Sequence, residues 1–142
     1  GELDVDAVLS TGGMFAPEAL GPLPANVSAH RFVDSGEILA RAAVHVTHGG
    51  GSSVHESLVA GVPMLCLPLG SDQRDWARRV VACGAGEIGE YQPGLIREAI
   101  VRLLLSDDAR QAARELAEQL LSHPGPALIG DLIDSILAAE SA

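Results

Sequence analysis

Between Val46 and Gln73 the chain reads VTHGGGSSVHESLVAGVPMLCLPLGSDQ, and most of its chemistry-bearing residue types are gathered there. His48 is followed by Gly49, Gly50 and Gly51 and then by two hydroxyls, Ser52 and Ser53. Glycines leave backbone amides uncovered, and a helix opening near Ser53 turns its positive end toward them. Such a place suits a phosphate or pyrophosphate. Two structural readings stand beside this one. Ser53 and Glu56 fit the S-x-x-E capping box, which would make both residues local supports, and a glycine-rich turn is often only a turn. The run matches neither G-x-G-x-x-G nor G-x-x-x-x-G-K-[ST], which argues against a dinucleotide fingerprint and a nucleoside-triphosphate loop.

A second loop ends in Asp72 and Gln73. A carboxylate beside a carboxamide can accept from and donate to vicinal sugar hydroxyls. Asp72 is equally a plausible N-cap for the helical pattern QRDWARRVVACG that follows. Phosphate donors and hydroxyl readers in neighbouring loops suggest a nucleotide sugar. His45 and His48 are three apart on a strand and tend to opposite faces, so no shared metal is expected, and no cofactor is assigned.

Short apolar runs must position these loops: Val5 to Thr11, Val27 to Val33, Ala43 to Thr47, Pro63 to Pro68 and a weaker one near Ile88. Helical patterns alternate with them at Ser35 to Ala42, Ser53 to Ala60, Asp72 to Cys83, Pro93 to Leu105, Asp107 to Ser122 and Pro126 to Ala139. Ser106 with Asp107 and Asp108 marks one helix start, and Leu116 and Leu120 mark that helix's apolar face. Alternation of this kind predicts an α/β fold, a Rossmann-like parallel sheet with helices on both faces. In such sheets ligands bind beyond the carboxyl ends of the strands, where both loops fall.

The 142 residues suit one domain. A net charge of −10, with no basic run to offset it, repels nucleic acid and anionic membrane surfaces. Cys66 and Cys83 form neither a disulfide framework nor a metal spacing, which fits a reduced setting. No run approaches a membrane span of roughly 20 apolar residues, and no signal peptide opens the chain, so a cytoplasmic location is expected.

These motifs resemble the C-terminal, donor-binding half of GT-B glycosyltransferases of the UDP-glycosyltransferase superfamily, particularly the bacterial enzymes that decorate antibiotics and other natural products. The family pattern H-x-G-x-x-S/T-x-x-E/A, then G-V-P, then P and D/E-Q, is met by His48, Gly50, Ser53, Glu56, Gly61-Val62-Pro63, Pro68 and Asp72-Gln73. The resemblance runs from about Val5 to about Gly89. It implies that His48 bonds the α-phosphate, and that Ser52, Ser53 and the Gly50 and Gly51 amides hold the diphosphate. Glu56 would accept from the ribose, which tilts the donor toward a UDP-sugar over a dTDP-sugar. Asp72 and Gln73 would read the transferred sugar. AHRFVDSGEIL resembles the base-binding loop, with Phe32 and Val33 near the nucleobase and Ser35 on its edge. The chain departs from the family at Asp34, where proline is usual, and at Trp76-Ala77, where asparagine-alanine is common; Trp76 is expected to pack or to line the acceptor or interdomain wall.

The resemblance further implies inverting glycosyl transfer to a small-molecule acceptor, with a histidine general base carried by an N-terminal half, present in cis or in trans. A strand and helix that would precede VDAVLST are expected to be missing from residues 1–142, leaving the domain incomplete at its N-terminus. The sheet would then have a gap, pair directly or borrow a strand, and an exposed edge could form homo-oligomers. A donor-binding subunit of a two-chain transferase, a nucleotide-sugar epimerase relative and a non-catalytic binding module are the alternatives.

Overall fold

The computed structural model describes residues 4–123. The chain divides after Ala42 into two compact units. In the first, β1 (Ala7–Ser10) pairs in parallel with β2 (Val27–His30), with Ala7 opposite Val27 and Ser10 opposite His30. Both strands are shorter than the apolar runs that announced them. Their connection contains a 3-10 turn, Pro17–Leu20, opened by proline where no amide partner is needed. The Asn26 carboxamide donates to the Val5 carbonyl at 2.7 Å. The short helix α1 (Ser35–Leu39) follows and buries Leu39.

The second unit alternates β3 (His45–Thr47), α2 (Gly51–Val59), β4 (Met64–Cys66), α3 (Gln73–Ala82) and β5 (Gly86–Ile88), then adds α4 (Pro93–Leu105) and α5 (Asp107–Ser122). Its three strands are parallel in the order β3-β4-β5. No ladder joins this sheet to β1 and β2 among the described residues. The run at β4 is continuous in apolar character because Met64, Leu65 and Cys66 are all fully buried in the middle of the sheet. Alternation sends its side chains to two cores. Met64 and Cys66 join Val54, Ala77, Val80, Ala85 and Ala113 beneath α2, α3 and α5. Leu65 points the other way, with Leu67, Ala99 and Leu103 beneath α4. Helices therefore cover both faces, as the alternating pattern predicts.

The α5 start is as expected: Ser106 Oγ accepts from the Ala109 amide at 3.1 Å, with Asp107 and Asp108 in the first turn. Its buried stripe differs from expectation, being made by Ala109, Ala113 and Ala117; Leu116 packs at the core's margin and Leu120 is exposed. Small residues let α5 close onto α2, where a Cβ on Gly61 would already stand 3.6 Å from that of Ala117. At β5 the approach is tighter still. A Cβ on Gly86 would fall 2.1 Å from the Met64 carbonyl oxygen, so only glycine permits this pairing. The helix expected over Pro126 to Ala139 lies outside the described residues. Among those residues no helix is long and apolar enough to cross a membrane.

Candidate functional site

Both chemistry-bearing loops leave the carboxyl ends of neighbouring strands, β3 and β4. The first begins at the buried Thr47, whose Oγ1 accepts from the Gly49 amide at 3.2 Å. Gly49 turns with φ +83°, a conformation that L side chains rarely adopt, and Gly50 then extends into α2. That helix starts at Gly51, and the Gly50 carbonyl takes the Val54 amide at 3.0 Å. The capping-box reading of Ser53 and Glu56 is thereby overturned. The glycines let the chain become helical two residues early, so Ser53 is the third residue of the helix and the N-cap, Gly50, offers no side chain. The amides of Gly51, Ser52 and Ser53 are consequently left without intrahelical or side-chain acceptors. His48 is exposed beside the N-cap, its Nε2 only 2.6 Å from where a Gly50 Cβ would be.

The second loop uses its amides differently. Gln73 Oε1 accepts from the Leu69 amide at 2.8 Å and the Gly70 amide at 3.3 Å. Ser71 completes the bend with φ +54°, unusual for a residue with a side chain. Asp72 occupies the N-cap position of α3, but its φ and ψ of −65° and −15° are already helical and its carboxylate makes no cap bond. The N-cap reading thus holds for the position and fails for the side chain. The carboxylate is exposed.

These loops touch. A Cβ on Gly49 would sit 3.3 Å from the Gln73 carbonyl oxygen, with the Cβ atoms of Cys66 and Ala77 within 3.9 Å. His48, Gly50, Gly51, Ser52, Ser53, Asp72 and Gln73 are thus brought to one end of one sheet. Glu56 lies four residues beyond Ser52, on the same helical face, and is exposed. Behind it, His45 Nδ1 and the fully buried Ser57 Oγ are 2.5 Å apart, tying β3 to α2. Burial lowers the His45 imidazole below its ordinary value; nearby Glu56 opposes that shift and His48 adds to it.

Phe32, Val33 and Ser35 belong to the first unit. Phe32 is 72% exposed, Val33 is half-buried and Ser35 opens α1. Asp34, standing where proline is usual, caps that helix: its carboxylate accepts from the Glu37 amide at 3.0 Å. Trp76 does pack, against the core beneath α2 and α3, and it also lies over Gly51. The loop bond of Gln73 and the contact between Trp76 and Gly51 carry no local sequence signal beyond the motif residues themselves.

Comparison with known proteins places this geometry. The family described as erythromycin biosynthesis protein CIII-like, C-terminal domain, matches residues 1–135. The chain is 31% identical over 134 residues to demethyllactenocin mycarosyltransferase of Streptomyces fradiae, covering 92% of this chain and 29% of that protein. With 3-alpha-mycarosylerythronolide B desosaminyl transferase of Saccharopolyspora erythraea it shares 32% identity over 141 residues, 96% of this chain and 34% of the relative. The solved structure of CalG4, the calicheamicin glycosyltransferase, superposes with a TM-score of 0.86 at 34% identity, over 95% of this chain and 36% of that one. Glycosyltransferase VinC, solved in complex with dTDP, gives 0.83 at 28% identity, over 94% and 34%. The chain therefore spans about a third of the length of the proteins it matches. By its sequence and its fold, it belongs to the erythromycin biosynthesis protein CIII-like C-terminal domain family, the sugar-donor domain of antibiotic-type GT-B glycosyltransferases.

Proposed function

We propose that residues 1–142 form the nucleotide-sugar donor-binding domain of a glycosyltransferase that passes a sugar from UDP or dTDP to a small-molecule acceptor. The observation that carries this reading is the start of α2, where three amides without protein acceptors follow Gly49 and Gly50, which lie against the Gln73 carbonyl and the His48 ring. The Gly50 and Gly51 amides, Ser52, Ser53 and His48 hold the diphosphate, with Glu56 on the ribose. Asp72 and Gln73 read the sugar. The dTDP bound in VinC supports a nucleoside diphosphate as the ligand class.

In the proposed reaction an acceptor hydroxyl attacks the anomeric carbon from the face opposite the leaving nucleoside diphosphate, which inverts the centre. Negative charge grows on the departing β-phosphate, and amides at a helix start stabilise it without reorganisation and with no metal required. The base that takes the acceptor proton comes from an N-terminal half, in cis or in trans.

Calorimetric titration with UDP and dTDP tests the site. Ser53→Ala is expected to weaken both by about tenfold or more, as removal of a hydrogen bond to a charged group does. Glu56→Ala should weaken UDP more than dTDP. A folded chain that binds neither nucleotide refutes the assignment.

A further inference from the structure

Trp76, the chain's single tryptophan, lies on the first turn of α3 with its indole against the first residue of α2. A Cβ on Gly51 would stand 3.1 Å from Nε1, 3.2 Å from Cε2 and 3.4 Å from Cζ2, so the nitrogen is the nearest ring atom. The ring is held in place. It packs half-buried against the cluster containing Val54, Met64 and Ala77, and the Arg79 guanidinium stands 5.3 Å from its centroid. Its N–H finds no acceptor among the described residues and is not sealed from solvent.

A solvent-open indole N–H with no protein acceptor is free to donate to water or to a bound ligand. Here the ring lies against Gly51, whose amide is one of those left unclaimed at the start of α2, so an oxygen held by those amides would lie in the same small region. We propose that Trp76 is a binding residue of the donor site, its indole N–H donating to an oxygen of the nucleoside diphosphate held at the start of α2. The indole N–H is a donor with no acceptor function, which suits an anion. The same placement explains Gly51: any side chain there would press on the ring. This inference rests on the donor-site reading above.

Because there is one tryptophan, emission from the full chain reports this indole alone. Titration with UDP or dTDP is expected to change it saturably, in step with the calorimetric isotherm. Trp76→Phe keeps an aromatic ring on α3 but removes the N–H donor and part of the packing against Gly51, and should weaken binding by about tenfold beyond any loss in unfolding midpoint. If wild type binds nucleotide and Ser53→Ala weakens it, while emission does not move and Trp76→Phe binds as wild type does, Trp76 is packing only and the donor site survives. Absence of nucleotide binding by the folded wild type removes both readings. Should Trp76→Phe not fold, acrylamide quenching of the wild type decides. Protection of the indole by bound nucleotide supports contact, and unchanged quenching refutes it.

Discussion

The loops after β3 and β4 leave the same edge of one sheet and solve the problem of loose backbone amides in opposite ways. After β3, the N-cap is a glycine, and the first amides of α2 have no acceptor among the described residues. After β4, Gln73 reaches back and takes the Leu69 and Gly70 amides with one oxygen. The first loop thus offers backbone donors, suited to charge. The second withdraws its backbone and offers side chains, an exposed carboxylate and a carboxamide N–H₂, suited to hydroxyls. Two chemistries come from two neighbouring loops because one is capped by nothing and the other is capped from within.

The largest way to break this contrast is at Gly49, which both loops share as a boundary. Gly49→Ala forces a side chain onto φ +83° against the Gln73 carbonyl, so a loss of about 1–3 kcal/mol in chemical denaturation is expected, together with nucleotide affinity. Gly94→Ala is the control: it lies in α4 with open space around it, and should hold or gain about 0.5 kcal/mol. Substitution at Gln73 separates the loops. Gln73→Leu abandons the Leu69 and Gly70 amides, which should cost about 1 kcal/mol and speed their hydrogen exchange. Gln73→Glu keeps an acceptor for them and loses the N–H₂ group. Nucleotide-sugar affinity should fall while stability and plain nucleotide affinity hold; equal loss of both affinities would show that the loops do not divide the ligand between them.

The smallest effect concerns the support behind the first loop. His45 has its folded pKa lowered by burial, so below its ordinary 6.5 the unfolded chain binds the proton more readily than the folded one. Stability should therefore decline as pH falls from about 6.5 through the lowered folded value, by less than ~1.4 kcal/mol per pH unit for one proton. Denaturation at pH 7.5 and pH 5 checks this, and His45→Gln should flatten the difference between them.

Most of the architecture was legible because each buried strand is a short apolar run closed by turn residues, and β4 in particular is apolar on both faces. The reach of each strand was not, since Val5 and Thr11 look no different in sequence from the residues that pair. At the site, the residue types of the first loop pointed to an anion, yet the helix start was misplaced. S-x-x-E is a local signal, and three glycines permit an earlier start that local pattern does not weigh. The grip of Gln73 on its own loop and the His45–Ser57 tie depend on bends or on contacts between separate elements. Trp76 over Gly51 joins residues 25 positions apart, and only packing brings them together.

The commitment of Gln73 Oε1 to two amides gives the side chain a fixed polarity. Its outward end can only donate, whereas the Asp72 carboxylate beside it can only accept. For a sugar held in the proposed orientation, the pair asks two different questions of adjoining ring positions. A hydroxyl answers either one, a keto oxygen only the first and an ammonium only the second, while a deoxygenated carbon answers neither. Selectivity among modified sugars would then follow from grammar as much as from shape.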